Sequence, residues 1–222
     1  MLAIDGPSGA GKTTAAAAVA EALSGELLPE AYHRLVPRPS LRFRSDSALL
    51  RLERRLLEAE ARRYLRAGSW GGPGPVVADT GFLGPLTYTW ALGRSGTANS
   101  SVLPPLLQKA RAMARTGRWG LPDLTIYLTT STRERRRRVA ADPAGHPPDL
   151  AGRHEAVGQQ ERGLYRERIG PLLGRRFRIV DGDGTPKAVV RRILRALRNP
   201  PGGPPPSFPD VLAVLQVLEA SE

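Results

Sequence analysis

The chain has 222 residues, 41% of them hydrophobic, so it can bury the core of one α/β domain with a short appendage. Cysteine is absent, which excludes disulfides and thiolate metal sites, and no apolar run approaches the roughly 18 residues of a membrane span. Met1 lies directly before the first predicted strand and leaves no room for a signal peptide, so we expect a soluble, cytoplasmic protein.

The formal net charge is +12, and nearly all of the positive charge is arginine, since lysine occurs only at positions 12, 109 and 187. Such a balance fits a nucleic-acid partner. The arginines, however, are spread over several predicted helices, without interleaved aromatic residues and without a recognised nucleic-acid motif. We therefore expect no nucleic-acid partner, and assign the charge to an arginine-rich composition combined with a site for polyanionic phosphates.

The first predicted elements are an apolar strand, Leu2–Asp5, and an Ala-rich helix, Thr14–Leu23. Between them lies a segment that fits the pattern G-x-x-x-x-G-K-[ST] at every fixed position. A strand, a glycine loop and a helix in this order form the context of a phosphate site rather than a chance glycine-rich turn. The predicted nucleotide-binding residues are Gly6, Pro7, Ser8, Gly9, Ala10, Gly11, Lys12, Thr13 and Thr14.

This segment predicts binding of ATP with Mg²⁺. Backbone N–H groups of the loop and of the helix N-terminus point at the β- and γ-phosphates. The Lys12 ammonium group adds a mobile positive charge, and the Thr13 hydroxyl is placed to ligate Mg²⁺.

Further strands and helices alternate along the chain. This alternation predicts a three-layer α/β/α P-loop NTPase fold with a five-stranded parallel sheet. The later predicted strands are Glu26–Leu28, Val76–Ala78, Leu124–Leu128 and Phe177–Val180. The later predicted helices are Ala48–Arg66, Leu103–Arg115, Arg133–Ala141, Gln159–Leu173, Pro186–Leu197 and Val211–Leu218.

We expect one P-loop domain over residues 1–198, with a mobile lid at about 131–155. The helix within 48–66 is amphipathic, with leucines on one side and charges on its other positions. Residues 199–210 are rich in Pro and Gly and predict a linker. The short helix within 211–222 is expected to dock on the body, with a contact in a homodimer as the alternative.

Several segments resemble the thymidylate kinase and deoxynucleoside kinase branch of the P-loop kinases, over roughly residues 1–198. Pro29-Glu30-Ala31-Tyr32-His33-Arg34 is similar to a Pro-Glu-x-x-x-Arg run of deoxynucleoside kinases. The resemblance implies that Glu30 is the general base. A carboxylate at the carboxyl end of a parallel strand also lies in the ligand crevice, where it can accept a proton from a hydroxyl. The alternative is a solvated loop glutamate.

Asp79 ends the apolar run Val76-Val77-Ala78, and a carboxylate at this place can hold Mg²⁺. The alternative is a helix or turn cap. The related kinases carry an arginine after this acidic residue, whereas this chain has Thr80. This difference concerns phosphoryl transfer, because in the related kinases that arginine stabilises charge at the transfer site.

Pro122–Leu128 resembles the fourth strand of thymidylate kinases, and Ser131–Arg138 falls where those enzymes have a lid helix. The resemblance implies that Arg138 is the lid arginine, one turn after Arg135, and that it stabilises charge on closure. Four consecutive arginines are otherwise mostly a solvated face. Arg153 is a further lid candidate, and the turn at 181–186 is similar to one that borders adenine.

The first functional hypothesis is an ATP- and Mg²⁺-dependent phosphotransferase in which Lys12, Glu30, Asp79 and Arg138 are catalytic, and Thr13 and Asp79 hold the metal. The acceptor is a nucleoside or a nucleoside monophosphate. For a monophosphate, Glu30 need not act as a base, and the phosphate would be bound by Arg34, Arg42 or Arg44. The alternatives are an ATP-binding regulatory protein without efficient transfer and a nucleic-acid end kinase or ATPase.

Overall fold

A computed structural model of the protein describes residues 1–36, 42–141, 151–199 and 202–220. Five parallel strands form one sheet in the order β2-β3-β1-β4-β5. The strands are β1 (Leu2–Asp5), β2 (Glu26–Leu28), β3 (Val76–Asp79), β4 (Leu124–Thr129) and β5 (Phe177–Asp181). The predicted sheet is confirmed, and each predicted strand agrees with the observed one to within a residue at either end.

Ten α-helices are found among the described residues. They are α1 (Lys12–Ala22), α2 (Ala31–Arg34), α3 (Asp46–Gly68), α4 (Gly84–Arg94), α5 (Leu103–Arg115), α6 (Thr132–Ala141), α7 (Ala151–Leu164), α8 (Gly170–Leu173), α9 (Pro186–Ala196) and α10 (Phe208–Glu219). A π-helical turn, Tyr165–Ile169, joins α7 to α8. None of the helices in the described ranges has the length and apolar character needed to cross a membrane.

Alternating side chains of the strands point into two separate cores. Ile4 and Ile126 pack with α1 and α9 on one face of the sheet. Ala3 and Tyr127 pack on the opposite face, with α3, α4, α5, α7 and α10. Because a parallel sheet must be covered on both faces, this arrangement gives the predicted three layers.

The strand order places β1 between β3 and β4. Ile4 pairs with Asp79 on one side and with Ile126 on the other. The loop after β1 therefore opens at the centre of the sheet edge, where ligands of parallel α/β proteins bind. The ends of β2 and β3 lie beside it, since Leu28 pairs with Ala78.

Helix α3 differs from its prediction in the side chains that it buries. Glu53, Glu60 and Arg63 lie in its buried face, whereas Leu65 is 47% exposed. The amphipathic pattern of leucines thus does not describe the whole buried face, which includes these three charged side chains. Positions 49, 53, 56, 60 and 63 follow one another at alternating steps of four and three residues, so they share one face of a helix.

The C-terminal helix α10 begins three residues earlier than position 211. Its apolar residues pack mainly against α5, and the buried ones are Val211, Val214, Leu215 and Leu218. Arg111 of α5 donates hydrogen bonds of 3.1 and 2.6 Å to the carboxylate of Glu219. The apolar face of α10 is thus covered within one chain.

Candidate functional site

The loop between β1 and α1 contains glycines in backbone conformations that residues with a side chain do not readily adopt. Gly6 has φ +141°, and a Cβ there would lie 2.6 Å from the carbonyl oxygen of Leu128. Gly11, the N-cap of α1, is left-handed with φ 90°, and it has no side chain to accept from the first-turn N–H groups. These N–H groups remain available to an anion at the helix N-terminus.

A crevice of about 650 Å³ opens over this loop. Of the predicted nucleotide-binding residues, it is lined by Gly6, Ser8, Gly9, Gly11, Lys12, Thr13 and Thr14. Pro7 and Ala10 lie behind the lining and shape the loop. The Pro7 carbonyl accepts hydrogen bonds from the Ala10 N–H at 3.1 Å and from the Lys12 ammonium group at 3.3 Å.

Glu30 lies two residues after β2, at the N-cap of α2, and lines the same crevice. Its side chain is 29% exposed, and one carboxylate oxygen lies 3.5 Å from Nε2 of His33. Burial raises the pKa of Glu30 above its ordinary value. Lys12 opposes the shift, whereas Asp79 adds to it. The structure thus brings Glu30, Lys12 and Asp79 together, as the sequence predicted for the carboxyl ends of neighbouring strands.

Asp79 is 1% exposed, and its Oδ1 has no hydrogen-bond partner among the described residues. An unpartnered carboxylate oxygen at the end of β3 fits a magnesium ligand. Asp79 itself is not among the residues that line the crevice, whereas Thr13 lines it and supplies a hydroxyl. Within the described ranges, no group of three or more metal-ligating His, Asp or Glu side chains occurs. This does not conflict with Mg²⁺, which is commonly held by one or two carboxylates together with phosphate oxygens and water.

Thr80 stands where the related kinases have an arginine. Its φ is +68°, which is strained for a β-branched residue, and its hydroxyl is buried without a partner among the described residues. A different arginine, Arg63 of α3, reaches the ends of β2 and β3. Its Nη2 donates to the carbonyl oxygens of Leu28 at 3.0 Å and Asp79 at 2.9 Å. Its positive charge lowers the pKa of Glu30, as one of the smaller contributions.

Arg138 of α6 lies against backbone oxygen atoms beside the crevice. Its Nη1 donates to the Ala10 carbonyl at 2.7 Å, and its Nη2 donates to the carbonyls of Gly182 at 2.8 Å and Gly184 at 3.1 Å. Its Nε donates to Glu134 at 2.9 Å. The guanidinium group therefore joins α6, the P-loop and the turn at 182–184, which the sequence predicted to border adenine.

The other arginines of α6 divide into two kinds. Arg135 is 5% exposed and lies against Gly9 of the P-loop, where a Cβ would be 3.0 Å from its Cγ. Its Nη1 donates to the His154 carbonyl at 3.3 Å. Arg136 and Arg137 are each 69% exposed, as expected of a solvated face. Part of the predicted lid, residues 142–150, lies outside the described residues.

The crevice also contains acidic groups that the sequence analysis did not single out. Asp5 is buried, and its carboxylate accepts a hydrogen bond of 2.8 Å from the Tyr165 hydroxyl. Burial raises the pKa of Asp5. Glu53, Glu60 and Glu161 also line the crevice, and burial is the largest cause that raises their pKa values, to about 8, 7 and 7 respectively.

One signal in the sequence could have revealed part of this set. The helical spacing places three charged residues of α3 on the same face as two of its leucines. These residues are Leu49, Glu53, Leu56, Glu60 and Arg63. Glu161 lies more than 150 residues from Asp5 in the chain, and no spacing rule connects them.

A family model described as "AAA domain" matches residues 1–142, which is more than half of the chain. No protein of curated function matches the sequence significantly.

Three solved structures of deoxyadenosine kinase from M. mycoides share this fold. The structure with the products dCMP and a flexible dCDP has a TM-score of 0.67 at 17% identity, and the match covers 88% of this chain and 97% of that one. The structure with dATP has a TM-score of 0.67 at 17% identity and covers 89% and 99%. The structure with dCTP has a TM-score of 0.64 at 16% identity and covers 88% and 97%.

These matches confirm the P-loop kinase fold over most of the chain. At such low sequence identity, the matches establish the fold but do not identify the substrate. The protein belongs to the AAA-domain family of P-loop proteins, and its fold is that of the nucleoside kinase-like branch.

Proposed function

We propose that the protein transfers the γ-phosphoryl group of ATP, with Mg²⁺, to a hydroxyl group of a small molecule of the nucleoside class. The position of Glu30 carries this proposal. Its carboxylate lines the crevice over the P-loop, close enough to Lys12 and Asp79 for their charges to act on its pKa. A base at this place has a use when the acceptor is a hydroxyl group, because a phosphate acceptor is already nucleophilic.

The charge of the crevice supports a hydroxyl acceptor over a monophosphate. Of the described residues that line it, Lys12, Arg138 and two histidines carry or can carry positive charge, and Lys12 and Arg138 lie at the P-loop. None of the three arginines named as candidates to bind an acceptor phosphate, Arg34, Arg42 and Arg44, is among the described residues that line the crevice. The acidic residues Glu53, Glu60 and Glu161, whose pKa values are raised, also line the crevice, and they add no positive charge that could bind a second phosphate.

Each group at the site has a separate role in the proposed phosphoryl transfer. The P-loop N–H groups and Lys12 orient the β- and γ-phosphates and stabilise the negative charge that moves onto the leaving oxygen. The Glu30 carboxylate takes the proton of the acceptor hydroxyl as its oxygen bonds to the γ-phosphorus, and the bond from that phosphorus to the β–γ bridging oxygen breaks. Thr13 and Asp79 would hold Mg²⁺, which neutralises phosphate charge when bound.

One observation favours a second candidate, an ATP-binding regulatory protein without efficient transfer. Thr80 replaces the arginine of the related kinases, and Arg63 brings its charge to the strand ends without being one of the residues that line the crevice. A protein with an intact P-loop and a weakened transfer site would bind ATP and turn over slowly.

The deciding experiment measures ADP production from Mg·ATP with panels of nucleosides, nucleoside monophosphates and oligonucleotides. We expect turnover with a nucleoside-type acceptor, and a decrease of about 10²–10⁴-fold in Glu30→Gln, which keeps the size and polarity of the side chain. ATP affinity should stay near that of the wild type, because the P-loop is unchanged.

Glu26→Gln serves as the matched control, since Glu26 lies on β2, the strand that precedes Glu30, and pairs with Arg66 at the surface. Turnover with monophosphates alone, unaffected by Glu30→Gln, would replace the hydroxyl acceptor by a phosphate acceptor. ATP binding without transfer to any acceptor would favour the regulatory protein.

A further inference from the structure

Arg63 of α3 is a buried arginine that joins the ends of two neighbouring strands. Its side chain is 6% exposed, and its Nη2 donates to the carbonyl oxygens of Leu28 at 3.0 Å and of Asp79 at 2.9 Å. Leu28 is the last residue of β2, and Asp79 is the last residue of β3. A single guanidinium nitrogen therefore bridges these strands where their regular pairing ends.

The two carbonyl oxygens are buried at the points where the chain leaves the strands. Leu28 and Asp79 are each 1% exposed, so water has little access to either carbonyl. After β2 the chain continues with Pro29, which has no N–H group. After β3 it continues with Thr80, whose φ of +68° turns the backbone out of the strand. A buried carbonyl oxygen needs a donor, and Arg63 supplies one to both strand ends.

The guanidinium group of Arg63 is itself held in place by further contacts. Its Nη1 donates to the carboxylate of Glu60 on the same helix. Its central carbon lies 5.4 Å from the centre of the Phe82 ring, a distance at which an aromatic face attracts a cation. Because its position is fixed in this way, Arg63 can define the positions of the backbone groups to which it donates.

Both strand ends carry a residue of the proposed transfer. Glu30 is separated from Leu28 only by Pro29, whose ring restricts the backbone between them. Asp79 is bonded to Arg63 through its own carbonyl, and its Oδ1 has no partner among the described residues. Arg63 is not one of the residues that line the crevice, so its effect on the reaction must pass through Glu30 and Asp79.

We propose that Arg63 is a positioning residue for the phosphoryl transfer, which ties the ends of β2 and β3 together and so keeps Glu30 and Asp79 in their places relative to the P-loop. The proposal rests on the proposed function, which makes Glu30 the base and Asp79 a magnesium ligand. The geometry of both groups depends on the separation of the two strand ends. A displacement of about 1 Å at such groups can lower the rate about 10²-fold.

The first test is a double-mutant cycle on kcat at saturating Mg·ATP and acceptor. Arg63→Met removes the charge and the donors of a long side chain, and we expect it to lower kcat about 10- to 100-fold. In the Glu30→Gln background the same change should have little further effect, because the base that Arg63 positions is absent. Arg62→Met, an exposed neighbour on the same helix, is the matched control and should leave kcat unchanged.

The second test examines Asp79 without turnover. Titration calorimetry with a non-hydrolysable ATP analogue gives its affinity in Mg²⁺ and in EDTA, and the ratio of the two measures the contribution of the metal. We expect Arg63→Met to lower this ratio about tenfold, as changes behind a metal ligand commonly do. Affinity in EDTA should stay the same, because the P-loop is unchanged. In the Asp79→Asn background, Arg63→Met should lower the ratio little further.

Arg63→Lys keeps the positive charge but lacks the planar fork of donors. Its kcat should lie between those of the wild type and Arg63→Met. If thermal unfolding shows that Arg63→Met does not fold, Arg63→Lys takes its place in both tests, since it avoids leaving Glu60 without a cation.

Equal losses of kcat with and without Glu30 would overturn the proposal, because an arginine with a purely structural role would act independently of the base. A folded Arg63→Met that keeps both kcat and the Mg²⁺ ratio would also overturn it. A failure of the transfer function looks different, since no acceptor then yields ADP in the wild type. In that case a loss of the Mg²⁺ ratio that requires Asp79 upholds the positioning role, and an unchanged ratio overturns it.

Discussion

Arg138 donates a hydrogen bond of 2.7 Å to the carbonyl oxygen of Ala10, which lies 128 residues earlier in the chain. The contact joins the helix predicted as part of a lid to the back of the P-loop. Its Nη2 also donates to the carbonyls of Gly182 and Gly184, and its Nε donates to the Glu134 carboxylate, so both terminal nitrogens face backbone oxygen atoms in this structure. Arg138 could act on the transferring phosphoryl group or maintain the shape of the nucleotide site, and mutation can distinguish these two roles.

We expect Arg138→Ala to weaken ATP binding about 5- to 30-fold, because hydrogen bonds from a partly exposed charged group are worth about 1–2 kcal/mol. Turnover at saturating ATP should change less. Steady-state kinetics, which separate kcat from KM for ATP, check this. Arg137→Ala is the control, since Arg137 is 69% exposed on the same helix. A decrease in kcat of about 10³-fold or more, with ATP affinity unchanged, would instead place Arg138 on the transferring group.

Lys12→Ala should leave the fold intact, because the conformation of the loop is set by its glycines. ATP affinity should decrease about 10- to 100-fold, as expected for the loss of charge-assisted contacts, and transfer should be lost. Titration calorimetry with ATP and the ADP assay measure the two effects. Lys109→Ala, which removes a lysine from the surface, should change neither. Normal ATP affinity in Lys12→Ala would contradict the phosphate site.

The raised pKa of Glu30 predicts the acid limb of the pH–rate profile. A general base must be deprotonated, so turnover of a hydroxyl acceptor should decrease as the pH falls through the pKa of Glu30. Because burial raises that pKa, the limb should lie above the ordinary glutamate value of 4.5. The residual activity of Glu30→Gln should lack this limb. A limb that persists unchanged in Glu30→Gln would belong to another group.

The stability of the protein should decrease between about pH 5 and pH 8. The pKa of Glu53 is about 8 in the folded chain against 4.5 for an ordinary glutamate, so its contribution is complete below 4.5 and is lost as the pH rises toward 8. Each unit of pKa difference is worth about 1.4 kcal/mol, which gives an effect on the order of a few kcal/mol.

Urea unfolding at several pH values tests this expectation. Glu53→Gln should flatten the dependence of the free energy of unfolding on pH, with Glu58→Gln as the control, since Glu58 is exposed and its pKa is lowered. Glu161, with a pKa of about 7, should account for much of the remaining slope. An unchanged slope in Glu53→Gln would show that this carboxyl group is ionised in the folded chain.

The sequence by itself determined the sheet and the phosphate loop. Each strand is a short apolar run between turn residues, and the loop pattern stands directly between a strand and a helix, so local chemistry specified both. Glu30 and Asp79 were predicted to lie near the loop because the carboxyl ends of parallel strands share one edge of the sheet. The positions of these two residues in the chain, just after parallel strands, were enough to predict where they lie, without knowledge of side-chain packing.

Only the tertiary structure decided which charged side chains line the crevice. The face of α3 that holds Glu53 and Glu60 is buried because α3 packs against α4 and α5, and the local pattern of leucines left that choice open. The contacts of Asp5 with Tyr165 and of Ala10 with Arg138 each span more than a hundred residues. The burial of an ionisable group depends on what packs over it, and that is a property of the assembled layers.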